Sequence, residues 1–143
     1  MTQSSTSPET ITLTDHDKAT LRNAAYGAVS LMAAADATGK PGKVAVNGSI
    51  ALSSATGLVG HVLAAKSKDI KLDGKSVAEL ADHVLPALTA AMGLLKKLDS
   101  FEADNFRGTV LVAIEAAAGT HPGGASPILA EMTRKITAAL DAV

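Results

Sequence analysis

Four histidines, at positions 16, 61, 83 and 121, are the side chains of this chain best suited to chemistry. Glu79 precedes His83 by one helical turn and Asp82 is its neighbour, so a carboxylate and an imidazole share a helix face. Three such groups converging inside a helical bundle could hold zinc, iron or manganese, with a further residue orienting the ring. The candidate set is His61, Glu79 and His83, with Asp82 or His16 as the orienting group. The spacing lacks both the two-histidine motif of zinc proteases and the Glu-x-x-His of di-iron bundles. The plainer reading makes His61 a core or rim residue and His83 a surface residue paired with Glu79. A close pair would also give that end of the molecule a response to pH without any catalysis.

Other chemistry finds less support. The chain has no cysteine, which excludes disulfides, thiolate metal sites and cysteine nucleophiles. The serines near His61 form no nucleophile elbow, and the acids are spread over helix surfaces. The linker Gly39-Lys40-Pro41-Gly42-Lys43 offers two lysines to an anion but lacks phosphate-loop spacing and a preceding strand. No cofactor is expected.

The elements that would position the histidines follow from periodicity. Thr14 with Asp15 and Asp17 starts a helix over 15–38, whose apolar face is Leu21, Ala24, Ala25, Ala28, Leu31, Met32 and Ala35. Tyr26 lies beside that face, its hydroxyl expected at the surface or on a carbonyl. From Val44 to Ala65 the chain runs 22 residues without a charge. Asn47, Ser49, Ser53, Ser54, Thr56 and His61 make it a poor membrane span, so it is expected to be the central helix, over 44–66. Ser49, Ser53, Gly57 and Gly60 would then form a smooth stripe for close approach by another backbone. The alternative over 44–52 is a short hairpin turning at Asn47-Gly48.

After a lysine-rich connector over 66–75, Ser76 and Glu79 form a capping box that opens a helix over 76–99. Its stripe is Val77, Leu80, Ala81, Val84, Leu88, Ala91, Leu95 and Leu98, and Pro86 inside it strips the carbonyl of Asp82 of its usual donor. A fourth helix over 101–119 buries Phe106, Val110, Ala113, Ile114 and Ala117 and keeps Glu115 at an edge. A fifth over 127–142 buries Ile128, Leu129, Met132, Ile136, Ala139 and Leu140.

The fold class is therefore all-α: a single-domain bundle of about five antiparallel helices over 14–143 with a central small-residue, apolar helix, after a flexible polar tail over 1–13. Up-and-down topology would bring all four histidines to one end, with His61 about 7 Å and His83 about 10 Å from their shared connector.

Composition narrows the function. Net charge is −1 with no basic domain-wide field, and 2% aromatic residues supply no stacking platform, so no nucleic-acid partner is expected. Membrane insertion is not expected either, and the cytoplasm is the expected compartment. A 47% hydrophobic chain with 28 alanines and little apparatus for chemistry reads as a non-enzymatic interaction module. It would associate with itself as a dimer or with another protein. The alternative is a metal or small-ligand site at the end carrying His61 and His83.

Overall fold

The computed structural model describes residues 13–35, 48–53, 55–64, 76–118 and 127–143, apart from the side chains of Leu58 and Ala64. Residues 1–12 of the expected 1–13 tail, the 39–43 linker, the first arm of the alternative hairpin, the 66–75 connector and the 120–125 turn with His121 lie outside the described residues, while Leu13, the last residue of that tail, is buried.

The elements are α1 (Asp15–Ala35), α2 (described over 48–53), α3 (Gly57–Ala64), α4 (Val77–Leu98), α5 (Ser100–Ala118) and α6 (Pro127–Leu140). They pack against one another as an all-α bundle, with no strand among the described residues. The second half of the 44–52 alternative, residues 48–52, is thus helical and not a hairpin arm.

The bundle is built around α1. Its start is closed by Thr14 and Asp17, which exchange backbone-to-side-chain bonds of 3.0 and 3.2 Å and so satisfy amides that a helix leaves free at its N-terminus. Leu21, Ala24, Ala25, Ala28, Leu31, Met32 and Ala35 are all buried, and Gly27, Val29 and Ala33 extend burial around most of the helix. With side chains this small, neighbours can approach from several sides, and α1 packs against α3, α4, α5 and α6. The small-residue helix at the centre is this one.

The uncharged stretch is not one continuous pillar. It is helical over 48–53, leaves the helix at Ala55 and Thr56, and resumes at Gly57 with φ +74°, a left-handed conformation suited to glycine. Leu52, Val59, Val62 and Leu63 reach the core, whereas Ile50, Ser53, Gly57 and His61 are exposed. The smooth stripe expected from Ser49 to Gly60 is interrupted by the same break. An α3 of eight residues is also far short of the roughly 20 needed to cross a bilayer. By length and composition one helix among the described residues, α4, could do so; its Leu80, Val84, Leu88, Ala91, Met92 and Leu95 are buried in this bundle.

Ser76 caps α4 as expected, accepting from the amide of Glu79 at 3.1 Å. Pro86 sits within the helix on its exposed side, where water can reach the carbonyl of exposed Asp82. Leu98, expected in the buried stripe, is 39% exposed because α4 ends there.

Asp99 alone joins α4 to α5. Its amide donates to Leu95 O at 2.7 Å to close the first helix, and its carboxylate accepts from Phe101 N at 2.9 Å to open the next. α5 buries the expected residues; in α6 Leu129, Met132, Ile136 and Leu140 are buried, Ala139 is half-buried and Ile128 is exposed in the first turn. The hydroxyl of Thr89 donates to Ala139 O at 2.7 Å and Lys96 donates to Val143 O, so α4 and α6 run in the same direction. Arg107, early in α5, pairs with Asp141 just beyond α6, so α5 runs against α6.

Candidate functional site

Three elements meet at the corner where α4 turns into α5, and they fix where α3 lies. On one side, Glu102 in the first turn of α5 accepts from Val59 N at 3.2 Å, giving a carboxylate to an amide at the start of α3. Asn105, one turn later, donates to Thr56 O at 2.8 Å and to Glu102 at 3.4 Å. On the other side, two α1 side chains one turn apart reach carbonyls in the last turn of α3: buried Arg22 donates to Val62 O at 3.4 Å and Tyr26 to Leu63 O at 2.8 Å. Burial raises the pKa of the Tyr26 hydroxyl above its ordinary value, against a smaller opposite pull from Arg22. A helix too short to be stable alone is thereby held at both termini.

Pinning the 55–57 turn onto α5 leaves an open cleft of about 400 Å³ beside it. Ala51 and Ala55 form one wall and Asp104, Asn105, Gly108, Thr109 and Val112 of α5 the other. A Cβ added to Gly108 would meet nothing within 4 Å, so the floor is open to an occupant. Large apolar side chains stand out in water here: Val112 in the cleft wall is 58% exposed, Ile50 beside Ala51 62% and, on the same face of α5, Phe101 82%. The polar groups in the cleft wall are a carboxylate, a carboxamide that is already bonded, and a hydroxyl. Such a lining could hold an apolar group against its small side chains.

The histidine constellation is not assembled. His61, Glu79, His83, Asp82 and His16 are all exposed, and no group of three His, Asp or Glu among the described residues could hold a metal. The physical reason is the broken segment: α3 packs on α1 and α5 and does not touch α4. His61 sits beside the Val59–Glu102 contact at the end of α4, whereas His83 is fifteen residues, about 22 Å of helix rise, back along α4 from Leu98. They belong to opposite ends of that helix.

The single buried face that periodicity predicts for α5 does not point to the cleft residues. Phe101 and Val112 are bulky apolar residues on the face opposite Phe106, Val110 and Ala117, and that second apolar face was the available signal. Comparison with protein-family models, curated proteins and solved structures finds no match to this chain.

Proposed function

We propose that this protein is a helical interaction module that docks a helix of another chain in the cleft between α2 and α5. The observation that supports the reading is the exposed apolar rim of Ile50 and Val112 around a cleft floored by Gly108 and walled by Ala51 and Ala55. Apolar side chains in water are common singly; Val112 in the wall of a small-residue cleft, with Ile50 next to Ala51 and Phe101 further along the same face of α5, favours an occupant. Two occupants fit a docking role, a second copy of the chain or a different protein.

The reading is tested with a photo-cross-linking residue at Val112, in cells making the chain, against the same residue at exposed Lys135 on α6. Protein adducts from position 112, absent from position 135 and lost when Gly108→Leu fills the cleft, are expected. Equal adducts from both positions, or none from position 112, would refute it.

A further inference from the structure

We infer that the occupant of the cleft is a helix from a different protein, with an apolar stripe and a lysine or arginine set to meet Asp104. The inference rests on the docking reading above and adds the chemistry of the partner. The walls favour a helix: the cleft runs along α5 from Asp104 to Val112, a rise of about 12 Å, or two turns, and no sheet edge exists among the described residues. The small side chains of Ala51, Ala55 and Thr109 and the bare backbone of Gly108 let a second helix axis approach closely, with Ile50 and Val112 flanking its apolar residues.

Charge weighs against a second copy docked through its own α5. Phe101, Gly108 and Val112 fall within about 40° of one another around α5, and Asp104 and exposed Glu115 lie together on one flank of that stripe. Two copies of α5 packed antiparallel about a twofold axis place the same flank of each on the same side of the pair. Four carboxylates would then gather there. The nearest α5 cation, Arg107, is engaged by Asp141 at 2.7 Å. The cleft wall contains one charged residue, Asp104, so the complementary partner is apolar with a cation on one edge.

The probes are two synthetic stapled helices of about four turns with the same Leu and Ala stripe, one with lysines and one with glutamates along its edge. Binding to the full chain is followed by fluorescence anisotropy. Gly108 and Asp104 are exposed, so Gly108→Leu and Asp104→Lys keep the fold. The lysine helix is expected to bind about two- to fivefold tighter than the glutamate helix, a preference that fades with added salt and that Asp104→Lys reverses. Gly108→Leu is expected to weaken the lysine helix at least tenfold.

Equal binding of both helices, or binding indifferent to Gly108→Leu, overturns the inference. So does a dimer in sedimentation that Gly108→Leu dissolves, which would make the occupant a second copy. Failure of both helices to bind while Val112 still cross-links a protein overturns this partner class and leaves the docking reading standing; loss of the cross-link as well removes both.

Discussion

The hydroxyl of Tyr26 in α1 donates to the carbonyl of Leu63 in the last turn of α3 at 2.8 Å, tying the central helix to the shortest of the elements whose full extent is described. Arg22 does the same for Val62 one turn earlier. Both carbonyls lie in the last turn of α3, where a helix runs short of its own donors, and the side chains of α1 supply donors there. Tyr26→Phe keeps the ring and removes the donor. The expected cost is about 1 kcal/mol in urea denaturation, with faster amide exchange over 57–64 than in α4.

The same hydroxyl sets an alkaline response. Burial holds the Tyr26 pKa above its ordinary 10.0, so below pH 10 folded and unfolded chains are both protonated and the contribution is complete. As pH climbs past 10 the unfolded chain ionises first, and stability falls. Melting curves on either side of pH 10 should show this loss in the native sequence and a smaller one in Tyr26→Phe. An identical loss in both would mean the hydroxyl is not buried as described.

At acid pH the pair Arg107–Asp141 acts in the opposite sense. The guanidinium hydrogen bond holds the Asp141 carboxyl below its ordinary 3.8, against a smaller effect of desolvation. The stability it brings is present above 3.8 and disappears as pH falls through the lowered value. Both groups face water, so the effect is small and is expected to shrink in high salt. Arg107→Gln should raise the pKa of Asp141 toward 3.8, read by carboxyl chemical shifts; an unchanged titration would show that the pair does not form.

The two phenylalanines separate core from surface. Phe106 is fully buried, and Phe106→Ala should cost about 3–5 kcal/mol. Phe101, on the cleft face, is mostly in water, and Phe101→Ala should change stability by no more than about 0.5 kcal/mol. Similar losses in the two variants would place α5 the wrong way round.

Two glycines near the break respond differently. At Gly57 the positive φ makes Ala costly by about 1–2 kcal/mol, while its Cβ would lie 3.2 Å from the Glu102 carboxylate. At Gly60 a Cβ would stand 2.3 Å from the carbonyl oxygen of Ala55, backbone that cannot swing aside, so the turn itself must move. Gly60→Ala is expected to cost about 1–3 kcal/mol. It should also weaken the Glu102–Val59 bond, visible as faster exchange of the Val59 amide.

Much of this architecture was legible because it rests on local rules. The stripes of α4, α5 and α6, the Ser76 cap and the Tyr26 bond to a carbonyl follow from periodicity and from donors that need partners. The break at Ala55 and Thr56 was not recovered, although Ser53, Ser54, Thr56 and Gly57 together form a turn-like cluster. With no charge to mark an outer face, continuous helix and broken helix looked alike. The side chains that decide the matter, Glu102, Asn105, Arg22 and Tyr26, come from distant parts of the chain. Losing the pillar moved the centre of the bundle to α1, separated His61 from His83 and opened the cleft.

Everything proposed for the cleft depends on α3 lying at the α4–α5 corner instead of along α4. The chain has no cysteine, so His61→Cys with His83→Cys gives one specific spin-labelled pair at exposed positions. Their separation can be measured by double electron–electron resonance. A distance distribution centred on the order of 20 Å or longer is predicted from the helix rise between His83 and Leu98. A narrow distribution near 10 Å would mean that the two helices lie side by side, contradicting the corner position of α3 and the cleft built upon it.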